Sequence, residues 1–480
     1  MRSSSRTTIR LATAFRLSST RPINSCGPLT TNGGRKPQAA EVAQQALTLD
    51  DLLDNGQGVG RAGGLVAFVS GGLPGERVRV AVDAVKRNYV SAHAVDIERR
   101  SPDRIESVCP VFPECGGCQV LHLRYEAQLE WKRRMLRDAL ARLGGLPDAV
   151  VDVTHPTVGM PGGYRNKVSL VPKFGSGPTQ LGLYAARSHR VVPIDHCPVL
   201  IPRLDRAVRA LVSLAADDPA LFAGTRHVVA RASATSSQLV VSMNGDGRLK
   251  PRAAGCDAIR SQIPELTGLT CSWEFENENA LFGRRFATLW GSPLIRENVA
   301  GVQLSFGIAS FFQINTSVLD AIAQRLLGAL AGSGRVVDLY CGVGTFGVAL
   351  GSRGIPSTGV EWFRPAVEEA VANAAANGVT CAAFECASAV DATRGERGRT
   401  LLSGADAVIL DPPRKGCEPE VIAALGARGP ARIEYVSCNP ATLARDAKAL
   451  AAAGYRLSRA TPFDMFPQTG HVEALAEFER

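Results

Sequence analysis

A strand pattern runs into a glycine turn and a helix start at Val336-Val337-Asp338-Leu339-Tyr340-Cys341-Gly342-Val343-Gly344-Thr345-Phe346. Glycines in such a turn let the backbone approach a ligand closely, and the helix that follows offers free N–H groups. Dinucleotide-binding enzymes share this feature, so the turn alone does not identify the ligand. The stretch therefore predicts the strand–turn–helix unit of an α/β domain that binds a nucleotide-like molecule.

The sequence on both sides of this unit alternates between apolar strand patterns and alanine-rich helical patterns. The predicted buried parallel strands are Val336–Tyr340, Thr358–Glu361, Ala407–Leu410 and Ile433–Ser437. The predicted helices between them are Pro365–Asn377, Glu420–Ala427 and Ala441–Ala453. Such alternation is typical of a doubly wound sheet, whose ligands bind beyond the carboxyl ends of the strands.

Two further features at predicted strand ends narrow the choice of ligand. Glu361 ends the strand after the glycine turn, which suits the hydroxyls of a ribose in either NAD or S-adenosylmethionine. The loop Asp411-Pro412-Pro413-Arg414 follows a later strand, and loops of this kind line the acceptor-base pocket of methyltransferases. The loop favours the methyl donor, although a Pro-Pro pair alone is also common in structural turns.

Cys438, in Tyr435-Val436-Ser437-Cys438-Asn439-Pro440, is a candidate nucleophile. If the acceptor base is uracil, its carbon 5 is a poor nucleophile until a thiolate adds to carbon 6. Because the thiolate form is required, we expect this thiol to have a lowered pKa. Carbon 5 must afterwards lose its proton to a base, and His471 and Glu473 are the candidates. A lone cysteine is more often a buried thiol, but the accompanying motifs favour catalysis.

Four other cysteines form a ligand-like set. Cys109, Cys115 and Cys118 lie close together, and Cys197 follows in Asp195-His196-Cys197-Pro198. Four thiolates suit either a tetrahedral zinc ion or an iron–sulfur cluster, and the spacing does not separate the two. The remaining thiols have no assigned role: Cys26, Cys256, Cys271, Cys341, Cys381, Cys386 and Cys417.

The chain upstream of the α/β region divides into three further parts. Short β patterns with glycine turns from Leu47 to about Glu98 predict a small barrel of the OB type. A helix is predicted over Tyr125–Leu143, with Lys132-Arg133-Arg134 on its outer face, where it could contact phosphates or be solvated. Residues 151–300 predict a mixed α+β region.

The net positive charge suggests a polyanionic partner, and the basic excess in residues 151–300 fits either phosphate contacts or a solvated surface. The net charge is +9, residues 1–40 contain seven Lys/Arg and no acid, and residues 151–300 contain 17 basic and 12 acidic side chains. The basic stretch of residues 1–46 predicts a disordered extension, a transit peptide or an upstream start codon. The chain contains no run of about 18 apolar residues, so the sequence predicts no membrane span. We expect a cytoplasmic protein, or a mitochondrial or plastid one if the source is eukaryotic.

From roughly residue 47 to 480 the chain resembles the RNA (uracil-5-)-methyltransferase family, specifically its iron–sulfur 23S ribosomal RNA members with a TRAM domain. The stretches that carry the resemblance are Leu73-Pro74-Gly75-Glu76, Cys115-Gly116-Gly117-Cys118-Gln119, Ser310-Phe311-Phe312-Gln313-Ile314-Asn315, Asp338-Leu339-Tyr340-Cys341-Gly342, Asp411-Pro412-Pro413-Arg414, Ser437-Cys438-Asn439-Pro440 and His471-Val472-Glu473.

The resemblance implies a multidomain protein. Its parts would be the extension (1–46), an OB-like TRAM β-barrel (47–100), a central α+β domain with the iron–sulfur site (101–298) and a Rossmann-like α/β methyltransferase domain (299–480). The implied partner is structured RNA, 23S-type ribosomal RNA in particular, bound by a monomer.

The resemblance also implies roles for individual residues. Cys438 would be the nucleophile that adds to carbon 6, and Glu473 the base. The implied contacts to S-adenosylmethionine are Gln313, Tyr340, Glu361 and Asp411. The implied ligands of a [4Fe–4S] cluster are Cys109, Cys115, Cys118 and Cys197. Phe311 and Phe312 could stack on a flipped base or belong to the core.

Three alternative functions remain. A transfer-RNA uridine methyltransferase would use the same chemistry. An RNA cytosine-5 methyltransferase usually carries Pro-Cys in the loop where this chain has Pro413-Arg414, with Cys417 further on. An RNA-binding assembly factor with an inactive site would not need Cys438, Asp411 and Glu473 together.

Overall fold

The computed structural model describes residues 46–159, 161–246 and 253–480. The extension predicted for residues 1–46 lies outside the described residues except for Ala46, and Cys26 lies outside them too. Within the described part, no helix is long and apolar enough to cross a bilayer.

The first domain is a closed five-stranded barrel, as predicted. Its strands are β1 (Leu47–Leu52), β2 (Gly58–Ala62), β3 (Leu65–Ser70), β4 (Arg77–Val85) and β5 (Tyr89–Arg99). They pair in the order β1-β2-β3-β5-β4. Alternate residues of β4 and β5 point inward, as Val78, Val80, Val90 and Ala92 do, so each strand buries one face.

The central domain is built on a mixed seven-stranded sheet in the order β12-β11-β10-β9-β6-β7-β8. Its strands are β6 (Lys167–Lys173), β7 (Gln180–Tyr184), β8 (Val191–Pro193), β9 (Thr225–Ala232), β10 (Leu239–Gly245), β11 (Gly268–Trp273) and β12 (Arg285–Gly291). Helices α2 (Pro202–Asp217) and α3 (Ala253–Gln262) and a 3₁₀ turn (Pro219–Phe222) accompany them. One face of the sheet packs on α2 through an apolar cluster that includes Leu204, Leu211, Val228 and Val241.

The third domain contains the predicted doubly wound sheet, in the order β17-β16-β15-β18-β19-β21-β20. Its strands are β15 (Val336–Leu339), β16 (Ser357–Glu361), β17 (Ala382–Cys386), β18 (Ala407–Leu410), β19 (Arg432–Ser437), β20 (Arg456–Phe463) and β21 (Glu473–Glu479). The strands β15 to β19 are parallel, and β21 runs antiparallel to both β19 and β20.

Helices cover both faces of this sheet. They are α4 (Thr316–Ala329), α5 (Thr345–Gly351), α6 (Arg364–Ala376), α7 (Ala389–Thr393), α8 (Gly395–Leu402), α9 (Pro419–Arg428) and α10 (Pro440–Ala452). The hairpin of β13 (Leu294–Val299) and β14 (Val302–Gly307) precedes the domain and packs into its core. The four predicted strands and three predicted helices match within one residue at each end.

Helix α1 (Tyr125–Arg142) joins the third domain although it precedes the central one in the chain. Leu136 and Leu140 are buried in the apolar cluster of the doubly wound sheet. After the helix, isolated bridges pair Val151 with Ala460 and His155 with Phe463.

The expectation that Lys132 lies on an outer face of this helix is wrong. Lys132 is completely buried and its Nζ donates to Asp464 Oδ1 (2.5 Å) and to the Phe466 carbonyl (2.9 Å). Arg133 donates to the Val151 carbonyl, and Arg134 pairs with Asp51 of the barrel. The physical reason is that a second domain covers this part of the helix and excludes water. The Lys132 charge is therefore stabilised by an ion pair instead of by solvent.

Candidate active site

A cavity of about 1160 Å³ opens at the carboxyl ends of β15, β16, β18 and β19. All six residues predicted for catalysis and methyl-donor binding line it: Gln313, Tyr340, Glu361, Asp411, Cys438 and Glu473. The sequence prediction therefore places these residues together correctly. Their individual roles stay predictions.

The glycine turn shapes one wall of the cavity. Gly344 has φ +82°, and a Cβ at this position would lie 2.9 Å from the Ala370 side chain and 3.0 Å from the Phe384 ring. Tyr340 also has a positive φ of 68°, which is costly for a bulky residue and ends β15 one residue earlier than predicted. The chain thus leaves the strand sharply, and the N–H groups of Cys341, Gly342 and Gly344 are bonded to Val360, Glu361 and Cys341.

Glu361 and Tyr340, two of the residues predicted to contact the methyl donor, are already hydrogen-bonded within the protein. The Glu361 carboxylate accepts from the N–H groups of Gly342 (3.2 Å) and Phe363 (2.8 Å). The Tyr340 hydroxyl donates to Glu418 Oε2 (2.7 Å), and Glu418 in turn pairs with Lys415 (2.8 Å). These contacts fix both side chains at the cavity wall before any ligand arrives.

The cavity concentrates buried acids. Burial raises the pKa of Asp411 to about 7, and burial followed by the Asp411 charge raises the pKa of Glu473 well above its usual value. Both carboxyl oxygens of Glu473 lack a hydrogen-bond partner among the described residues. Asp338 is fully buried beneath them, and burial with the charges of Asp411 and Glu361 raises its pKa as well. Such a group of acids suits a ligand that is cationic and rich in hydroxyls.

Cys438 lies between β19 and α10, beside these acids. Burial, then the charges of Glu473 and Asp411, raises the pKa of its thiol to about 12, while Arg414 lowers it. The expected lowering of the pKa is therefore wrong for the ligand-free protein. The reason is that burial removes water from the thiolate, and the neighbouring carboxyl groups of Glu473 and Asp411 further disfavour its negative charge.

Arg414 is the cation nearest to this thiol in the Asp-Pro-Pro loop. Its guanidinium contacts His471 Nδ1 (3.0 Å), and its carbonyl accepts from Asn439 Nδ2 (3.1 Å) and Thr442 Oγ1 (3.3 Å). These bonds tie the loop after β18 to the first turn of α10. His471 has its pKa lowered by burial and then by Arg414, so its imidazole is neutral at pH 7.

The Ser310–Gln313 loop presents two phenylalanines with different environments. Phe312 is buried and stacks on Phe306 with ring centres 4.2 Å apart, so it belongs to the core rather than to a base-stacking site. Phe311 is 73% exposed at the cavity. Arg231 and Asn166 of the central domain hold the loop by donating to the carbonyls of Phe312 (2.8 Å) and Gln313 (3.2 Å).

The four predicted metal ligands lie near one another. The charges of Cys109, Cys115 and Cys197 each influence the thiol of Cys118, and those of Cys109 and Cys115 influence Cys197. Across residues 46–159, 161–246 and 253–480, however, no group of three or more His, Cys, Asp or Glu side chains is arranged to hold a metal ion. The four thiols are a suitable donor set for a cluster, but the structure does not show the site.

Several cavity residues were not assigned by the motifs. They are Arg165, Thr345, Trp362, Ser388 and Glu418. Trp362 is 71% exposed and directly follows Glu361 at the end of β16, a position that could have marked it in the sequence. Arg165 and Glu418 come from distant segments, and no local pattern signals them.

Comparisons with known proteins agree with this geometry. A family model described as tRNA (Uracil-5-)-methyltransferase matches residues 298–479, and a TRAM domain model matches residues 40–95.

Two bacterial relatives match nearly the whole chain. One, from Halalkalibacterium halodurans, is 34% identical over 90% of this chain and 96% of its own length. Another, from Thermosynechococcus vestitus, is 36% identical over 90% of this chain and 96% of its own length. Both are described as uncharacterized RNA methyltransferases.

One solved structure is similar over its whole length. It is the Pyrococcus abyssi tRNA (uracil-54, C5)-methyltransferase in complex with S-adenosyl-L-homocysteine. The TM-score is 0.71 and the identity 28%, and the match covers 90% of this chain and 100% of that chain.

Proposed function

The chain belongs to the S-adenosylmethionine-dependent RNA (uracil-5-)-methyltransferases with a TRAM domain, and from that premise we propose that it methylates carbon 5 of a specific uridine through a covalent adduct of Cys438. The observation that supports this mechanism is the presence of Cys438, Asp411 and Glu473 in one cavity beside the glycine turn.

In the proposed reaction the Cys438 sulfur bonds to carbon 6 of the flipped uracil, which makes carbon 5 nucleophilic. Carbon 5 takes the methyl group of the sulfonium donor, and the donor leaves as the neutral thioether. Glu473 then accepts the proton of carbon 5, and elimination breaks the sulfur–carbon bond and restores the ring. The reaction releases one proton and S-adenosylhomocysteine.

The raised pKa values fit these roles. A carboxylate whose pKa is raised by burial is a stronger base than an ordinary one, which suits Glu473 for removing a proton from carbon. The thiol of Cys438 needs a positive charge near the carboxylates before it ionises. Arg414 supplies one such charge, and a bound sulfonium would supply another.

The proposed methyl-donor contacts are Gln313, Tyr340, Glu361 and Asp411. Glu361 suits the ribose hydroxyls because it sits at the end of β16 beside the glycine turn. Asp411 and the neighbouring acids suit the positive end of the donor. Phe311, which is exposed on the Ser310–Gln313 loop, is placed to stack on a base of the RNA.

We propose 23S-type ribosomal RNA as the substrate, on the resemblance of the cysteine and barrel motifs to the ribosomal members of the family. A transfer-RNA substrate is the second candidate, because the similar Pyrococcus abyssi structure is a transfer-RNA enzyme. Cys109, Cys115, Cys118 and Cys197 are proposed to hold a [4Fe–4S] cluster that ties the loop after the barrel to the central domain. We further propose a monomer that works in the cytoplasm.

Mass mapping of RNA from cells that lack this protein tests the substrate. We expect one uridine in large-subunit ribosomal RNA to lose a single methyl group, and re-expression of the protein to restore it. Loss confined to transfer RNA would replace the ribosomal proposal with the second candidate. Unchanged methylation in both RNA classes would contradict the proposed function.

A further inference from the structure

Three cationic side chains of the central domain, Lys167, Arg231 and Arg165, lie near one another, and Arg165 lines the cavity. Lys167 begins β6, and its Cα lies opposite that of Arg231 on β9. Arg165 precedes Lys167 by two residues, lines the cavity and donates from Nε to the Lys167 carbonyl (2.9 Å). This group lies in the part of the chain, residues 151–300, that carries an excess of five basic over acidic side chains.

The cations of this group have no acidic partner at hydrogen-bonding distance among the described residues. The Lys167 ammonium lies 5.3 Å from the centre of the Phe282 ring and forms no ion pair there. Arg165 is likewise without a salt bridge in the described ranges, its recorded bond being to a carbonyl. Arg231 is buried against the Phe306 ring (4.6 Å) and donates to carbonyls of the Ser310–Gln313 loop.

Lys167 is the least compensated member of this group, because Glu297 and Glu369 act on Arg231 and the Arg165 charge acts on the thiols of the cysteine set. Burial, followed by the charges of Arg231 and Arg165, lowers the pKa of Lys167 to about 7. Within the described ranges, the half-buried Lys167 amine thus lies close to two guanidinium groups and has no carboxylate at hydrogen-bonding distance. Binding of an anion would remove the repulsion and restore the full positive charge.

The neighbouring residues indicate which anion. Arg231 holds the loop that presents Phe311, the exposed aromatic ring at the cavity. If Phe311 stacks on a base of the RNA, as proposed above, the backbone of that nucleotide would lie near this loop. Contacts to phosphates fix the register of a nucleic acid, while stacking holds the bases.

We propose that Lys167, together with Arg165, binds a backbone phosphate of the RNA strand next to the methylated uridine. The proposal rests on RNA being the substrate and adds a positioning contact from the central domain. The carboxylate of the methyl donor is a second anion that these cations could bind, so the experiment must distinguish the two.

The test uses the full-length protein and the variant Lys167→Gln. The matched control is Lys173→Gln, because Lys173 ends the same strand, is exposed and has no arginine opposite it. A short fluorescein-labelled oligouridylate serves as the RNA probe, and S-adenosylhomocysteine as the donor probe. Lys167→Met, whose stem still covers Phe282, and Lys167→Arg, which keeps the charge, separate loss of charge from loss of packing.

Lys167→Gln and Lys167→Met are expected to bind the oligouridylate roughly tenfold more weakly, with a salt dependence lower by about one phosphate contact. Lys167→Arg and Lys173→Gln should bind it as the unaltered protein does, and all variants should retain their affinity for S-adenosylhomocysteine. An equal loss in Lys173→Gln, or a loss of S-adenosylhomocysteine affinity with RNA affinity intact, would overturn the site. Failure of the unaltered protein to bind or methylate any RNA would instead overturn the proposed function, and the site with it.

Discussion

At the scale of single residues, the cavity gathers buried acids whose raised pKa values favour the protonated form until a cation binds. Burial raises the pKa of Asp411, and burial followed by the Asp411 charge raises that of Glu473. After burial itself, both acids raise the pKa of the Cys438 thiol. The same acids that suit a cationic methyl donor therefore keep the nucleophile protonated until ligands bind. Because of this coupling, the order in which the ligands bind should affect when the Cys438 thiolate forms.

Replacing the base should trap the covalent intermediate. Glu473→Gln keeps the size of the side chain but cannot take the proton of carbon 5, so the Cys438 bond to RNA cannot be broken. We expect turnover to fall by about 10²-fold or more, and a protein–RNA adduct to accumulate on denaturing gels.

Cys438→Ala is the matched control for this experiment. It should form no adduct and show no turnover, yet bind S-adenosylhomocysteine normally because Cys438 is not one of the proposed donor contacts. A Glu473→Gln protein that turns over normally, or that is inactive and forms no adduct with an RNA shown to be a substrate, would contradict the assignment of Glu473 as the base.

The buried acids should also cost stability as the pH rises. The folded pKa of Asp411, about 7, lies above the ordinary value of 3.8, so the folded protein keeps this proton between roughly pH 4 and 7 while the unfolded chain loses it. The unfolded state binds fewer protons in this window, and stability falls as pH rises through it.

Asp411→Asn removes this dependence, and we expect it to raise the free energy of unfolding at pH 7.5 by on the order of 1–3 kcal/mol. At pH 4 the variant and the unaltered protein should differ little. Denaturant unfolding of the ligand-free proteins at both pH values measures this. A variant that is destabilised equally at the two pH values would show that Asp411 acts through packing instead.

At the scale of elements, the segment between β20 and β21 carries His471 and leads into Glu473, and three other parts of the chain contact it: helix α1, Tyr164 and the barrel. Gln128 of α1 exchanges two hydrogen bonds with Gln468 (2.8 and 3.0 Å), and Lys132 contacts Asp464 and Phe466. Tyr164 donates to the Pro467 carbonyl (3.0 Å), and a side chain at Gly470 would collide with the Asp54 carbonyl of the barrel.

Breaking the buried ion pair of this segment should be costly. Lys132→Met leaves the Asp464 carboxylate buried without its cation, which typically costs about 3–5 kcal/mol. Arg134→Met on the same helix removes an exposed pair with Asp51 and should cost less than about 1 kcal/mol. The midpoint of denaturant unfolding compares the two.

The double variant Lys132→Met/Asp464→Asn removes both charges and should recover much of the loss. The rate of methyl transfer should fall in Lys132→Met and recover in the double variant, in parallel with stability, because the segment sets the position of Glu473. Equal costs for Lys132→Met and Arg134→Met would show that the Lys132 pair contributes nothing beyond a surface contact.

The same helix shows what the sequence could and could not predict. Its bounds were predicted within one residue because Leu129, Leu136 and Leu140 repeat at helical spacing. The burial of Lys132 was not predictable, since its partner Asp464 lies 332 residues away and is brought close only by the fold. The pKa of Cys438 was predicted in the wrong direction for a similar reason: its burial and the nearby acids Glu473, at the start of β21, and Asp411, after β18, are set by the fold.

At the scale of the whole molecule, the loop that carries Cys109, Cys115 and Cys118 connects the barrel to the segment between β20 and β21. The N–H groups of Gln119 and Val120, which directly follow Cys118, both donate to the Gln468 carbonyl (2.9 and 3.1 Å). On the other side, Gly116 donates to the Tyr184 carbonyl of the central domain (2.9 Å). A cluster held by Cys109, Cys115, Cys118 and Cys197 would therefore fix the junction of three domains next to the base, without taking part in the chemistry.

Metal analysis of protein purified without oxygen tests this. We expect about four iron atoms and matching sulfide per chain, and loss of most of both in Cys197→Ser. Cys256→Ser, which changes a half-buried thiol of the same central domain outside the set, should retain them. Since the cluster would order the segment before Glu473, Cys197→Ser should also expose that segment to proteolysis, a readout independent of activity. One zinc ion per chain in place of iron would contradict the cluster, and full iron content in Cys197→Ser would contradict the assignment of that cysteine as a ligand.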